Sequence, residues 1–348
     1  MKIGLALAGG GVKGAAHIGA IKALEENNIK ISAIAGTSIG SVVAALYTMG
    51  YTTDEMLKLF KYFSKSLLKT DPKYLMNNIR STKSIFGSGI ISGQAIEDAI
   101  KECANLKGIS NIRDIETPIA IPAVDIKTGK EIVFTNRNID STQKVVKVSE
   151  DETLKQEKYI AVPNLESEKY INKIEIGKAV RASCSYPGIF APMSYKEYKF
   201  VDGGVLDNVP TEEAKKLGVD KIITIKFPPK EVESPRTAIN VLSRSLDIIF
   251  HDRDTYKTKS SDYILDIDVT SSSTFDIKKI DECYEEGYQR TSKLVRGRFL
   301  QAKIHHLGTG LQHYIHLLWK ENIIYSEKLI RMRAKIIRIK KERVNIMS

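Results

Sequence analysis

The sequence predicts an α/β fold with a mostly parallel central sheet, covered by helices on both faces, and a basic helical C-terminal extension. Short apolar runs alternate with helix-period segments over roughly the first 230 residues, the alternation ends near residue 290, and positive charge is concentrated beyond that point. Short apolar runs suit strands buried on both faces, and the helical segments between them provide the crossovers of a parallel sheet.

The individual elements follow from periodicity and from breaker residues. Ile18, Ile21 and Leu24 recur at helical spacing in the first helix, Gly50 closes the second, and the turn Asp125–Gly129 joins two strands as a hairpin. The predicted strands are Lys2–Ala8, Ile31–Ala35, Pro118–Val124, Glu131–Thr135, a strand ending at Phe200–Val201, and Lys221–Lys226. The predicted helices are Ala15–Asn27, Ser41–Met49, Thr53–Leu68, Gln94–Ala104, Gly177–Ser183 and Thr211–Leu217.

The 348 residues suit one large domain with an appendage. We expect that domain over residues 1–290, with a polar, charge-rich insertion or flap at 140–173, and a basic amphipathic tail over 291–348. Residues 31–53 carry no charge, but their serines, threonines and three glycines favour a buried strand, turn and helix over a membrane span. The N-terminal segment is expected to belong to the mature fold because it contains glycines and a lysine.

Three cysteines are too few and too scattered for a disulfide framework or a zinc site, which indicates reduced thiols in a cytoplasmic protein. The net charge of +11 belongs mainly to the tail, where 13 Lys and Arg face three acids from Lys293 onward. This charge bears on partners and not on the fold.

The strongest chemical signal is the G-x-S-x-G pattern of residues 36–40, between a predicted strand and a predicted helix. In such a turn the backbone of the serine is strained, and its Oγ stands clear at the start of the helix. Gly36 and Gly40 remove the Cβ atoms that would clash with neighbouring chain. Ser38 is therefore a candidate nucleophile, and a Gly/Ser-rich packing turn is the structural alternative.

A glycine-rich loop follows the first strand, with Gly9, Gly10, Gly11 and Gly14 around Val12. The G-x-G-x-x-G spacing alone suggests a dinucleotide loop, but no acidic residue ends the next strand, and no Gly-Lys-Ser/Thr makes it a phosphate-binding P-loop. Consecutive glycines can also direct backbone N–H groups at one point, as an oxyanion hole requires. Both glycine turns follow strands at the same end of the predicted sheet, so they face one crevice.

Asp202 ends a predicted strand immediately before Gly203 and Gly204. Such an aspartate is often only a turn-former, but beside a nucleophilic serine it is a candidate general base. A carboxylate of ordinary pKa is a weak base, so the site should desolvate it and raise its pKa.

Together these residues resemble the patatin-like phospholipase family over about residues 1–227. Further matches are residues 14–20 (GAAHIGA), residues 181–192 (RASCSYPGIFAP) and Asn208-Val209-Pro210 after the Asp-Gly-Gly triplet. The resemblance implies a three-layer α/β/α sandwich and a Ser–Asp dyad that hydrolyses phospholipid or other lipid esters without a metal or organic cofactor. Carried over, Ser38 is the nucleophile, Asp202 the base, and the backbone N–H groups of Gly10, Gly11 and Val12 the oxyanion hole.

A histidine base would indicate a different enzyme. His251 follows Asp202 in the chain order of an α/β-hydrolase triad, but its segment, residues 250–254, reads as a solvated helix face. His17 lies just behind the glycine loop, where packing or hydrogen bonding is expected. The tail histidines lack the acid or cysteine partners of a metal site. A Ser38–Asp202–His251 hydrolase of soluble esters or thioesters, and a non-catalytic lipid- or nucleotide-binding module, remain the alternatives.

Within the tail, Ile323, Ile330, Ile337 and Val344 recur every seven residues among many Lys and Arg. A basic amphipathic helix of this kind is typical of segments that bind an anionic membrane surface, here the inner face of the membrane. The alternative is a helix that docks on its own domain or pairs in a dimer. Nucleic acid binding is not indicated, because aromatic residues are sparse there and no binding motif is present.

Overall fold

The computed structural model of the chain describes residues 1–68, 91–139, 143–151, 156–163, 169–228, 238–269 and 276–305. The chain divides into two compact units, residues 1–292 and residues 293–348. The first unit contains the sheet and every candidate catalytic residue. The heptad-spaced part of the predicted basic tail lies outside the described residues.

A mixed sheet of nine strands forms the centre of the first unit among the described residues, in the order β11-β10-β1-β2-β3-β4-β7, with β9 beside β3 and β8 beside β9. Neighbours from β11 through β3 are parallel, whereas β4, β8 and β9 introduce antiparallel pairs. The strands are β1 Ile3–Leu7, β2 Ile31–Gly36, β3 Ile119–Asp125, β4 Lys130–Thr135, β7 Tyr170–Ile171, β8 Met193–Tyr195, β9 Tyr198–Asp202, β10 Lys221–Lys226 and β11 Tyr263–Asp266.

Helices flank this sheet, as the α/β prediction requires. They are α1 Gly14–Glu26, α2 Ile39–Thr48, α3 Thr53–Leu68, α4 Gln94–Leu106, α5 Ile176–Ser183, α6 Gly204–Asp207, α7 Thr211–Lys216, α8 Ala238–Lys257 and α9 Ile280–His305. Alternate strand residues point to opposite faces. Small side chains such as Ala6, Ala35 and Ala120 form one face with Ala214 of α7, while larger ones such as Leu7 are fully buried on the other. The predicted three-layer α/β/α arrangement is confirmed.

Most predicted elements occur where the sequence places them. Residues 31–53 fold as β2, a turn and α2, followed by the start of α3. No described helix is both long and apolar enough to cross a membrane. The alternation continues after β10 with α8 and β11, within the span expected to end near residue 290, and the last described helix, α9, begins at Ile280.

The polar insertion at 140–173 contains regular structure. Strands β5 Gln143–Asp151 and β6 Gln156–Pro163 pair as an antiparallel hairpin that forms a sheet of its own. Strand β7 follows within the same insertion and pairs with β4 of the main sheet. Whether the segment covers the crevice as a lid stays a prediction.

Candidate active site

Ser38 occupies a strained turn between β2 and α2. Its φ of 53° and ψ of −125° lie in a region that residues other than glycine rarely adopt, as the G-x-S-x-G pattern predicts. A Cβ on Gly36 would lie 2.2 Å from the Gly40 carbonyl oxygen, and a Cβ on Gly40 would lie 2.4 Å from the Leu7 carbonyl oxygen. Both flanking positions therefore require glycine because the backbone of neighbouring chain approaches too closely for any side chain.

The turn is held by hydrogen bonds to the backbone of Ser38 itself. The Ser38 amide donates to Ser183 Oγ at 2.9 Å, and Ser183 Oγ donates to the Pro122 carbonyl oxygen at 2.6 Å. On the other side, Ser41 Oγ donates to the Ser38 carbonyl oxygen at 2.6 Å. These bonds oppose relaxation of the strained serine, since each buried polar group that lost its partner would be left unsatisfied.

Strand pairing brings Asp202 to this turn. The first residues of β3 pair with β2, whereas Ala123 to Asp125 pair on the same edge with the antiparallel strand β9. Strands β2 and β9 therefore meet end to end along β3, with Ser38 just past one end and Asp202 at the other. Ser38 Oγ donates to Asp202 Oδ2 at 2.6 Å, a short distance typical of a hydroxyl donating to a carboxylate.

Asp202 is almost completely buried, with 1% of its surface exposed. Its other oxygen, Oδ1, accepts from the Gly204 amide at 2.8 Å. Desolvation raises the pKa of Asp202 to about 7, while the bonds from Ser38 and Gly204 favour the ionised form and limit the rise. The carboxyl group is thus a much stronger base than an exposed aspartate, and the environment matches the sequence-based expectation of desolvation.

The glycine loop lies beside the same serine. A methyl group on Gly9 would come within 3.2 Å of Ser38 Cβ, and one on Gly14 would overlap Ile39. The Gly9 amide donates to the Asn208 carbonyl oxygen at 3.2 Å, and residues 11–13 form a short 3-10 helix. Within the described residues, no backbone acceptor is bonded to the amides of Gly10, Gly11 or Val12. The loop beside Ser38 thus has N–H groups that no described backbone acceptor holds.

The histidines closest in sequence to Ser38 and Asp202, His17 and His251, lie against other groups. The His17 ring is fully buried, shares a 2.8 Å hydrogen bond between Nε2 and the Ala8 carbonyl oxygen, and has a pKa lowered to about 4 by desolvation. His251 Nδ1 lies 3.4 Å from Asp254 Oδ2. In the described part of the chain, neither ring is hydrogen-bonded to Ser38 or Asp202.

The segment around His251 corrects one expectation. Phe250 and Asp254 are buried, so these two residues do not belong to the solvated face that the sequence predicts. Phe250 lies near Gly204, and a Cβ on that glycine would come within 3.0 Å of its ring. Although most residues of this segment are polar or charged, one face of its helix packs on the candidate site.

Two other groups near the candidate site, Cys184 and Lys13, are in packing contact with their neighbours. Cys184 is buried, with Sγ 3.8 Å from Ser41 Oγ, and burial raises the pKa of its thiol to about 12. The Lys13 ammonium lies 5.8 Å from the centre of the Phe227 ring. The described residues contain no cluster of His, Cys, Asp and Glu able to hold a metal ion.

Ser183 and Asn208 are site residues to which the sequence reasoning gave no role. Both lie in segments that it singled out, Arg181–Pro192 and Asn208-Val209-Pro210. Membership of these two motif segments was the only available signal, because the hydrogen bonds of Ser183 and Asn208 depend on pairing between distant segments.

Comparisons with known proteins give one family match. The family model described as patatin-like phospholipase matches residues 5–215. An uncharacterised NTE family protein of Mycobacterium tuberculosis is 27% identical over 257 residues, which cover 72% of this chain and 58% of that protein. A protein named lysophospholipase NTE1 from Meyerozyma guilliermondii is 28% identical over 69% of this chain and 14% of its own length.

The chain thus spans well under two thirds of the length of both relatives. Among solved structures, VipD from Legionella pneumophila matches with a TM-score of 0.44 and 15% identity, over 85% of this chain and 67% of that one. Because that likeness is distant, the fold assignment rests on the family match and on the coordinates of the chain itself.

Proposed function

The chain belongs to the patatin-like phospholipase family, and from this premise we propose that it is a lipid acyl hydrolase in which Ser38 and Asp202 form a catalytic dyad. The observation that carries the proposal is the 2.6 Å hydrogen bond from Ser38 Oγ to Asp202 Oδ2, made to a carboxyl group whose pKa is about 7. A base with a pKa near the working pH combines a useful ionised fraction with useful proton affinity.

The proposed reaction begins when Ser38 Oγ attacks the carbonyl carbon of a lipid ester and its proton passes to Asp202. The amides of Gly10, Gly11 and Val12 stabilise the oxyanion that forms on the former carbonyl oxygen. Asp202 then gives the proton to the departing alcohol, which leaves an acyl group on Ser38. Water, activated by the same carboxylate, releases the fatty acid and restores the serine.

The supporting architecture suits this sequence of steps. Gly36 and Gly40 allow the strained turn, Gly9 and Gly14 allow the loop to lie against it, and the Gly204 amide orients Asp202. Gly203 also approaches the backbone closely, since a Cβ there would lie 2.3 Å from the Pro122 carbonyl oxygen. The dyad thus stands on a backbone arrangement that substitution would disturb.

The family and the relative named a lysophospholipase support the choice of substrate class. We propose phospholipids and lysophospholipids as substrates. Wild-type chain and Ser38→Ala should be incubated with mixed phospholipid vesicles and the products analysed by mass spectrometry. Free fatty acid should appear with the wild type and with Ser245→Ala, whose hydroxyl is exposed and bonded only to its own helix. Equal release by Ser38→Ala would contradict the proposal.

The two alternatives can be separated from it directly. His251→Ala should retain most of the turnover of p-nitrophenyl butyrate, because no described hydrogen bond joins the His251 ring to Ser38 or Asp202. Stoichiometric labelling of Ser38 by a fluorophosphonate probe should occur, and this would count against a non-catalytic binding module. Loss of turnover in His251→Ala would favour the histidine-dependent hydrolase.

The basic tail is proposed to bring the enzyme to an anionic membrane surface from the cytoplasm. The excess of 13 Lys and Arg over three acids in residues 293–348 supports this partner. In vesicle pelleting, the full chain should bind anionic vesicles, and replacement of the basic residues of 328–343 by glutamine should weaken binding. Unchanged binding would refute a role for the tail charges.

A further inference from the structure

Helix α8 contacts two consecutive residues, Asp207 and Asn208, which follow the Asp-Gly-Gly turn. Lys257 Nζ lies 3.5 Å from Asp207 Oδ1, and Asn208 Nδ2 donates to the Asp254 carboxylate at 3.3 Å from each oxygen. Lys257 and Asp254 are separated by three positions, so they lie on the same face of the helix. One helix face thus contacts both residues of the pair 207–208.

The same two residues contact both turns of the proposed active site. The Asn208 carbonyl oxygen accepts from the Gly9 amide at 3.2 Å, and the Asp207 carbonyl oxygen accepts from Thr37 Oγ1 at 2.7 Å. Gly9 begins the glycine loop, and Thr37 precedes the nucleophile. Asp207 and Asn208 therefore connect α8 with the glycine loop and with the turn that contains Ser38.

The side chain of Asn208 adds a second contact to the loop. A Cβ placed on Gly9 would lie 2.7 Å from Asn208 Oδ1, so the amide oxygen abuts the glycine backbone. A carboxylate can only accept hydrogen bonds. Asp254 therefore selects the orientation in which Asn208 directs its NH2 group toward α8 and its oxygen toward the loop.

Asp254 is 2% exposed and Asn208 is 6% exposed, so water cannot readily replace either partner. Lys257 is a weaker candidate for the same role, because its side chain is about one third exposed and its contact is longer. Helix α8 begins at Ala238, whereas the family match ends at residue 215. The contact is thus supplied by a part of the chain beyond the region that defines the family.

We propose that Asp254 is a positioning residue of the hydrolase, which acts through Asn208 to hold the glycine loop against Ser38. The proposal rests on the proposed function. Asp254 does not touch the substrate, so its removal should displace the oxyanion donors without removing them. Small displacements of catalytic groups reduce the rate while leaving substrate binding largely intact.

The test measures kcat and KM for p-nitrophenyl butyrate, and the rate of fluorophosphonate labelling, with full-length variants. Asp254→Ala should lower kcat by about 10- to 100-fold, less than the 10²–10³ expected for loss of a donor. Its KM should stay within about twofold of the wild type. Asp254→Asn should recover at least part of kcat because its amide oxygen can still accept from Asn208. Ser245→Ala, on the same helix, should equal the wild type.

A reciprocal exchange keeps the test decisive if Asp254→Ala fails to fold. Asn208→Asp should place two carboxylates face to face and lower kcat, whereas the double variant Asn208→Asp/Asp254→Asn restores one donor and one acceptor and should recover at least about tenfold. A folded Asp254→Ala with wild-type kcat, or a double variant no better than Asn208→Asp, would overturn the role of Asp254. A wild type with neither turnover nor Ser38 labelling would instead overturn the hydrolase function itself.

Discussion

Lowering the pH from about 8 to about 6 should reduce ester hydrolysis by the wild-type chain, because it protonates Asp202. Only the ionised carboxylate can accept the proton of Ser38. Burial raises the pKa of Asp202 to about 7, so its ionisation falls within this range. An exposed aspartate, with a pKa near 4, would stay ionised at both values and give a flat profile.

The size of the effect follows from that pKa. With a value of about 7, roughly ten in eleven Asp202 side chains are ionised at pH 8 and roughly one in eleven at pH 6. We therefore expect kcat/KM to fall about tenfold between these values, with a slope approaching one decade per pH unit below pH 6.

The assay is the pH dependence of kcat/KM for p-nitrophenyl butyrate, measured in the wild type and in His251→Ala. The second protein is needed because histidine is the side chain whose charge ordinarily changes in this pH range, so a histidine base has to be tested separately. Both proteins should show the same inflection near pH 7. A flat wild-type profile, or an inflection that disappears in His251→Ala, would refute the assignment of Asp202 as the base.

The remaining predictions concern the groups that surround the dyad. Gly36→Ala should unfold at a clearly lower temperature, because its Cβ would meet the Gly40 carbonyl oxygen at 2.2 Å. Ser183→Ala should slow fluorophosphonate labelling about 10- to 100-fold, since it leaves the nucleophile's amide unpaired at a cost of about 1–3 kcal/mol. Cys184 should resist iodoacetamide at pH 8 until the chain unfolds, because its pKa is about 12. Asp202→Asn should raise Tm at pH 8, and the gain should shrink toward pH 4, because a carboxyl group with a raised folded-state pKa loses its contribution to stability as pH rises through about 7.

The first two of these predictions have matched control variants, and the other two have outcomes that would contradict them. Gly108→Ala faces open space and introduces only backbone strain at a φ of 69°, so its Tm should fall much less than that of Gly36→Ala. Ser245→Ala should label as fast as the wild type, which separates the Ser183 contact from a general effect of serine removal. Rapid alkylation of Cys184 in the folded chain, or a Tm of Asp202→Asn equal to the wild type at pH 8, would contradict the burial on which both predictions depend.

Local patterns predicted a large part of the fold and the positions of the two turns. Apolar runs bounded by glycine gave most strands of the sheet to within one or two residues, because each is buried on both faces. The strained conformation at Ser38 was predictable from the flanking glycines alone, since Gly36 and Gly40 remove clashes within a short segment of chain.

The contacts between distant segments could not be predicted from those patterns. Strands β2 and β9 meet end to end because both pair with the same edge of β3. The spacing of apolar residues does not indicate which strands share an edge. Likewise, the burial of Asp254 is hidden because it ends a run of three charged residues, 252–254, and a charged run ordinarily indicates a solvated face. These are tertiary contacts, so they become visible only when the positions of the strands and of α8 in the folded chain are known.

The end-to-end junction of β2 and β9 determines when Ser38 and Asp202 can first come together during synthesis of the chain. Ser38 and Asp202 stand 164 positions apart, and strand β9, which pairs with β3, is synthesised after it. A ribosome adds residues at about 5–20 per second. Ser38 therefore leaves the exit tunnel many seconds before Asp202, and the proposed dyad is incomplete in the nascent chain during that interval.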